Sequence, residues 1–390
     1  MKLPQFSFIY VSATLAIYLA GTAGTSALSN ARASAHVAQQ ASRSNLDHKI
    51  AAEFAPIFYQ ALGDKPRSDY ITNFDFDGDW RGDNNWDHAE DKKFPLKAYV
   101  YYSVVETATH FFIHYAVFHP RDYKGGSRKG AILSDLIREG AKRGGKYDPT
   151  GLAEETALAH ENDLEGCLVV VEKNGKDPEQ GHTAYVETLH HNVFSRYAPG
   201  ETSNEGSGPV ILEGERPLLY IEPKGHGIEA LDADRQKIGN KQYLIYKFAG
   251  RAEDPTKARD ETVGYELTPI QTTLWARAQI LKKAKETSTA LNPTFGAVET
   301  YDSIVIELVQ PAGRVVERKY DLGILGSAFL GKVGGQNMAR PPWAWFDRND
   351  REVPAGQWFF DPAKTIKRGF KLKDSFSTAY VRVPFWAMGK

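Results

Sequence analysis

The segment that decides the predicted fold is His160-Glu161-Asn162-Asp163-Leu164-Glu165-Gly166-Cys167-Leu168-Val169-Val170-Val171. Its second half is short, apolar and β-branched, and Lys173-Asn174-Gly175 provides turn residues soon after it. An apolar run of this length, bounded by a turn, is typical of a strand that is covered on both faces. The polar first half is therefore predicted to lie where the chain enters a buried strand.

Two carboxylates and one imidazole converge in this polar half. Because side chains alternate between the faces of a strand, Asp163 and Glu165 point the same way, and His160, just before them, can turn to the same side. Carboxylate oxygens bind Ca²⁺, Mg²⁺ and Mn²⁺, and an imidazole is compatible with Mg²⁺, Mn²⁺ or a transition metal. The pattern indicates a divalent-cation site. The alternative is a solvated acidic loop.

The composition favours a mainly β protein. A chain of 390 residues fits one elaborate domain or two. Its 20 Phe, 19 Tyr, 34 Gly and 20 Pro are typical of short strands joined by many turns. The 48 basic and 49 acidic residues nearly balance, which argues against a nucleic-acid partner and a polybasic membrane surface. We expect a monomeric, antiparallel β-sandwich with helical insertions.

The N-terminal residues have the pattern of an export signal. Lys2 precedes an apolar run and then small residues, so we expect residues 1–35 to be a signal peptide that is cut between Ala27 and Ala35. The alternative is an uncleaved membrane anchor. The protein is then secreted or held in the cell envelope, and Cys167, its only cysteine, gives no internal disulfide.

The rest of the chain is predicted to form one elaborated domain. Residues 36–48 are interpreted as a flexible lead-in and residues 49–390 as the β-sandwich, with a core at about 49–250 and further strands and a helix at 251–390. The predicted strands are 98–105, 110–119, 164–171, 183–189, 218–221, 242–248, 302–309 and 315–320, of which 99–105, 110–119, 164–171 and 183–189 share one antiparallel-rich sheet. The predicted helices are 130–140, 152–160 and 272–285.

Three further histidines are weaker candidates for ligand binding. His114 lies within an apolar strand, where the alternative is a hydrogen-bonded core histidine. His190 follows a strand end, and His226 lies between glycines, where a ligand can approach the backbone closely.

The acidic segment 75–88 carries three alternating aspartates. Its glycine occupies the fourth place rather than the sixth, and no acid occupies the twelfth, so the segment is not an EF-hand. We expect a turn-rich loop with Asx hydrogen bonds above Trp80 and Trp86. The alternatives are a different cation site or a surface on which sugars stack.

Two short motifs in residues 99–230 resemble those of a known family. Phe118-His119-Pro120-Arg121-Asp122 ends one predicted strand, and Ala159-His160-Glu161-Asn162-Asp163-Leu164-Glu165 opens the next. They are similar to the Phe-Pro-x-Asp-like turn and the Gly-His-Arg-His-Asp-Trp-Glu hallmark of the necrosis- and ethylene-inducing peptide-like proteins. Gly225-His226-Gly227 more loosely resembles the Gly-Ser-His-Ala turn of the related vacuolar protein sorting-associated family.

This resemblance implies a β-sandwich that holds a divalent cation, Mg²⁺, Ca²⁺ or Mn²⁺, at one end. The implied ligands are Asp122, His160, Asp163 and Glu165. Ala159, Asn162 and Leu164 replace the Gly, second His and Trp of the hallmark, so cytolytic activity is not implied.

Three classes of function remain open from the sequence. The first is a secreted protein that uses the cation to bind a polar head group or a glycan. The second is a metal-dependent hydrolase with His114, His190 or His226 as general base. The third is a structural protein of the cell envelope. No Gly-x-Ser-x-Gly elbow, Walker loop or His-Glu-x-x-His motif is present, so the familiar enzyme classes are not indicated.

Overall fold

The turn-rich, aromatic sequence folds mainly into β-strands. A computed structural model describes residues 43–123, 159–175, 177, 180–200, 208–238, 242–284, 292–333 and 339–385. Within them the strands are β1 (Ile57–Ala61), β2 (Tyr99–Thr107), β3 (His110–Asp122), β4 (His160–Glu172), β5 (His182–His190), β6 (Val193–Pro199), β7 (Gly208–Val210), β8 (Leu212–Glu213), β9 (Arg216–Ile221), β10 (Ile228–Ala230), β11 (Tyr243–Phe248), β12 (Glu261–Pro269), β13 (Phe295–Val309), β14 (Val315–Phe329) and β15 (Tyr380–Arg382).

The helices are short. The α-helical segments are residues 43–53, Asn85–His88, Ala233–Ile238, Leu274–Ala284, Gln357–Phe360 and Pro362–Gly369. The 3₁₀ turns are Pro66–Asp69, Ile270–Thr272, Pro311–Gly313 and Pro342–Ala344. None of the helices in the described part of the chain has the length and hydropathy of a membrane span.

The strands join in one large mixed sheet that is nearly closed into a barrel. Its main path runs β10-β9-β1-β11-β12-β2-β3-β4-β5-β6-β7. The expected β-sandwich is not confirmed, and the sheet is not wholly antiparallel, because β1 and β9, β11 and β12, β12 and β2, and β6 and β7 pair in parallel. Parallel neighbours need a long crossover. Residues 249–260 provide one between β11 and β12.

The predicted central strands are confirmed. Strands β2 to β5 are consecutive antiparallel neighbours, as the sequence predicts for 99–105, 110–119, 164–171 and 183–189. The helix predicted at 272–285 is observed at Leu274–Ala284, and the C-terminal hairpin is observed with longer strands, β13 and β14. His160, expected to end a helix, is instead the first residue of β4.

Several expectations concern residues outside the described part of the chain. The signal peptide, the first residues of the lead-in, the helix predicted at 130–140 and most of the helix predicted at 152–160 lie there. Within the described residues, those from Ile50 onward belong to one unit.

Tryptophan packing fixes β4 in the core. Trp345 is buried, and its indole Nε1 donates a hydrogen bond to the carbonyl of Leu164 at 3.2 Å. Its ring lies against Gly166, where an added Cβ would be 2.4 Å from Trp345 Cη2 and 2.6 Å from the carbonyl oxygen of Tyr115. Glycine at 166 therefore permits the close approach that anchors the strand carrying the predicted ligands.

Candidate functional site

The four predicted ligands lie at one end of the antiparallel pair β3 and β4. In the register of this pair, Asp122 is opposite His160, and His119 is opposite Asp163. His160 Nε2 lies 3.5 Å from Asp122 Oδ2, and Glu165 follows two residues along β4 from Asp163. All four side chains are buried. The strand pairing therefore brings Asp122 and His160 together and places Asp163 and Glu165 further along the same buried strand.

Asn162 interrupts the regular strand between His160 and Asp163. Its φ of 61° is left-handed, a conformation that asparagine adopts more readily than most residues. Its amide Nδ2 donates to the carbonyl oxygens of Gly82 and Leu330, each at 2.7 Å, and its Oδ1 accepts from Asn85 Nδ2 at 2.7 Å. Asn162 therefore ties β4 to two neighbouring loops.

Glu161 makes a second tie at the same place. Its carboxylate accepts hydrogen bonds from the backbone N–H groups of Trp86 at 2.6 Å, Lys332 at 2.6 Å and Val333 at 3.3 Å. Burial raises the pKa of Glu161 in spite of these bonds. The consecutive residues Glu161 and Asn162 thus fasten loops, while His160 and Asp163 on either side of them pair with Asp122 and His226.

The acidic loop is the turn-rich structure that the sequence predicts. The backbone N–H of Asp79 donates to Asp77 Oδ1 at 3.2 Å, and that of Arg81 donates to Asp79 Oδ1 at 2.7 Å. Trp80 stacks on Phe74 with ring centroids 5.7 Å apart. The Asx interpretation is confirmed.

Asp163 shares a buried histidine with a second carboxylate. His226 Nδ1 donates to Asp163 Oδ2 at 2.9 Å, and His226 Nε2 donates to Asp69 Oδ1 at 3.2 Å. Burial alone lowers the pKa of His226, but hydrogen bonds and charges from Asp163 and Asp69 outweigh it and raise that pKa to about 9. His226 is therefore an imidazolium that holds both carboxylates.

The charge state of Asp163 follows from its histidine neighbours. Burial raises the pKa of this carboxyl, but the hydrogen bond and charge of His226, with smaller effects of His160 and His191, lower it overall. Asp163 is thus a carboxylate, and His160 pairs with Asp122 beside it on the strand pair.

His119, Gln60 and Asp69 complete the buried arrangement, and none of the three is predicted as a site residue from the sequence. The His119 ring stacks on that of His226, with centroids 3.8 Å apart and planes at 8°, and its Nε2 lies 3.0 Å from Gln60 Oε1. Burial and the His226 charge hold the pKa of His119 well below its ordinary value. Asp69 also accepts from Tyr123 Oη at 2.6 Å.

Within the described residues, two groups of three side chains place potential metal-ligand atoms within 4.8 Å of one another. One is His119, Asp163 and His226, which is fully buried, and the other is the half-buried set His190, His191 and Glu222. The predicted quartet is not gathered into one such group. Asp122 and His160 form a pair beside the first group.

The three weaker histidine candidates lie in different places. His226 adjoins Asp163 and His190 lies in the second group. His114 is not brought to either, because it is fully buried against Trp358 and Phe359, with Nε2 3.0 Å from the Trp358 carbonyl oxygen. Burial lowers the pKa of His114 to about 4. It is a core histidine in this fold.

Comparison with known proteins finds weak similarities to solved structures, with TM-scores below 0.3. No family model and no curated protein matches this sequence. A solved structure described as NLPPya in complex with glucosamine is 14% identical, covers 62% of this chain and 80% of that chain, and has a TM-score of 0.29. The structure of non-toxic HaNLP3 is 15% identical, covers 57% of this chain and 74% of that chain, and has a TM-score of 0.25. Necrosis and ethylene inducing protein 2 from the causal agent of cocoa's witches' broom disease is 12% identical, covers 58% of this chain and 76% of that chain, and also has a TM-score of 0.25.

Proposed function

We propose that this protein binds one hard divalent cation, Mg²⁺, Ca²⁺ or Mn²⁺, at the joined end of β3 and β4. The ligands are Asp122, His160, Asp163 and Glu165. The observation that carries the proposal is the pairing of β3 with β4, which places His160 opposite Asp122 at 3.5 Å and three residues before the buried Asp163.

The donor set fits such an ion. Three buried carboxylates at one end of a strand pair repel one another, and a cation between them offsets that repulsion. Oxygen-rich ligand sets with one imidazole suit Mg²⁺ and Mn²⁺, and carboxylates suit Ca²⁺. His226 supports the set from behind, because it holds Asp163 Oδ2 and so orients the carboxylate.

We further propose that the bound cation holds a polar head group or a glycan for an exported, cation-dependent binding protein. A hard cation with protein ligands on one side keeps coordination positions for hydroxyl or phosphate oxygens of a ligand. The half-buried His190, His191 and Glu222 border the same region, since His190 packs against Gly227, the residue after His226.

Two measurements test this function. Elemental analysis of the purified protein should find close to one Mg, Ca or Mn per chain, and arrays of glycans and lipid head groups should show binding that a chelator removes. The control is Asp374→Asn, which removes a fully exposed carboxylate and should bind as wild type does. A protein free of these metals, or array binding that is indifferent to chelator, would contradict the proposal. Metal-dependent turnover in an esterase, phosphatase and glycosidase screen would replace it with the hydrolase function.

A further inference from the structure

The hairpin between β5 and β6 presents two consecutive histidines to one carboxylate. His190 ends β5, and His191 and Asn192 form a two-residue turn with φ values of 50° and 58°. Positive φ at both central residues is the type I′ hairpin turn. His190 Nε2 lies 3.4 Å from Glu222 Oε2, and His191 Nε2 is bonded to Glu222 Oε1. One carboxylate therefore lies between two imidazoles.

We propose that His190, His191 and Glu222 form a second metal site, for a zinc-type transition-metal ion, separate from the hard-cation site at β3 and β4. In a tetrahedral zinc site with bonds of about 2.0–2.1 Å, ligand atoms lie about 3.3 Å apart. The distance of 3.4 Å between His190 Nε2 and Glu222 Oε2 matches this spacing. Two imidazoles with one carboxylate suit Zn²⁺, Ni²⁺ or Cu²⁺ better than Mg²⁺ or Ca²⁺.

A second carboxylate positions one of the two imidazoles. Glu229 Oε1 lies 3.4 Å from His190 Nδ1, on the opposite side of the ring from Glu222, and Arg235 Nη1 holds Glu229 at 3.1 Å. A metal-bound histidine commonly donates its other N–H to a carboxylate in this way, which fixes the tautomer and the ring orientation.

Gly227 fixes the position of the same ring. A Cβ at 227 would lie 1.8 Å from His190 Cδ2, so only glycine admits the imidazole here. The His190 ring is thus held by the backbone beside Gly227 and by carboxylates at both of its nitrogens.

Solvent can reach the hairpin group of His190, His191 and Glu222, and this distinguishes it from the buried group of His119, Asp163 and His226. The His190, His191 and Glu222 side chains are 28%, 19% and 25% exposed. The His119, Asp163 and His226 side chains are buried. A zinc ion at the hairpin has three protein ligands, so its fourth position is open to water or an exogenous ligand.

Zinc titration of untagged full-length protein, in competition with a chromophoric chelator, tests the site. We expect wild type to bind Zn²⁺, and His191→Ala and Glu222→Gln to weaken binding by more than about tenfold. The matched control is His182→Ala, which removes an exposed imidazole from the other end of β5, where it pairs with Glu215 at 3.1 Å. Its zinc affinity should equal that of wild type.

Two further variants separate the roles. Glu229→Gln should lower zinc affinity about tenfold while leaving the melting temperature of the metal-free protein unchanged, as a positioning role requires. Asp163→Asn should keep zinc affinity and lose the response to Mg²⁺. The proposal is overturned if His191→Ala and Glu222→Gln bind zinc as wild type does, if His182→Ala loses binding equally, or if Asp163→Asn abolishes it.

Discussion

The Asp163 carboxylate has two roles. It accepts a hydrogen bond from the His226 imidazolium, and it is a ligand in the proposed cation site. Asp163→Asn removes the charge at nearly constant shape, so it should abolish the rise in melting temperature that Mg²⁺ or Ca²⁺ causes. The loss of a charged hydrogen bond should cost about 1–3 kcal/mol in the free energy of unfolding. Thermal unfolding with and without cation measures the change in melting temperature, and urea unfolding measures the change in the free energy of unfolding.

The control for this prediction is Asp374→Asn, at an exposed carboxylate paired with Lys367. It should leave stability within about 0.5 kcal/mol of wild type and keep the cation response. An Asp163→Asn protein that Mg²⁺ still stabilises fully would show that the ion binds elsewhere.

His114, which is buried in the core, makes the free energy of unfolding depend on pH. Burial gives it a pKa of about 4 in the folded protein against an ordinary value of 6.5. Above pH 6.5 the imidazole is neutral in both states, and between pH 6.5 and 4 only the unfolded chain takes up the proton. Acid should therefore lower the free energy of unfolding through His114 by up to about 3 kcal/mol.

His114→Gln isolates this contribution, because it can keep a donor to the Trp358 carbonyl without titrating. The variant should lose less stability than wild type between pH 6.5 and 4 in urea-unfolding curves. Parallel pH profiles for the two proteins would refute the assignment to His114.

The sequence predicts side chains that lie close together along the chain and misses those that only folding brings near. Asp163 and Glu165 share a strand face, and strand alternation predicts that. Asp69 reaches His226 across 157 residues, and Gln60 reaches His119 across 59, so no local pattern marks either pair. Glu161 and Asn162 were also missed as loop fasteners, because their partners lie in distant segments.

At the scale of elements, strand existence was predictable and strand direction was not. The β-branched runs of β3 and β4 and the turn residues between β13 and β14 identify the strands and hairpins. Alternation of side chains carries no information on whether two distant strands pair in parallel. The parallel pairing of β1 with β9 joins segments more than 150 residues apart, and it turns the expected sandwich into a mixed sheet.

Close packing around Gly166 in β4 leaves no room for a larger side chain at this position. Gly166→Ala would bring Cβ to 2.4 Å from Trp345 Cη2 and 2.6 Å from the Tyr115 carbonyl oxygen, and backbone cannot move aside cheaply. Overpacking of this kind costs about 1–3 kcal/mol, which chemical denaturation measures. The matched control Gly208→Ala, whose Cβ would lie 3.3 Å from the Tyr197 side chain, should change stability by less than about 0.5 kcal/mol. Equal effects of the two substitutions would contradict this packing argument.

At the scale of the whole molecule, near-closure of the sheet creates the site region. The β10 end of the sheet comes back to β5, so that Glu229 of β10 lies 3.4 Å from His190 of β5. His226, in the turn between β9 and β10, reaches Asp163 of β4 for the same reason. The sequence resemblance joined Asp122 to His160, but only the curvature of the sheet adds His226, His190 and Glu222.

Cation binding should therefore be visible in the stability of the entire protein. A ligand that binds only the folded state stabilises it by RT ln(1 + [L]/Kd), about 2.7 kcal/mol at a hundredfold excess over Kd. Chelator should lower the melting temperature, and Mg²⁺, Ca²⁺ or Mn²⁺ should restore it, because the carboxylates at β3 and β4 repel one another without the ion. Calorimetry of wild type and Asp163→Asn, each with chelator and with millimolar cation, makes the comparison. If the buried carboxylates are held only by their histidine neighbours, chelator and cation should leave the melting temperature unchanged. Identical melting curves for wild type in both conditions would then remove the basis for a cation-dependent function.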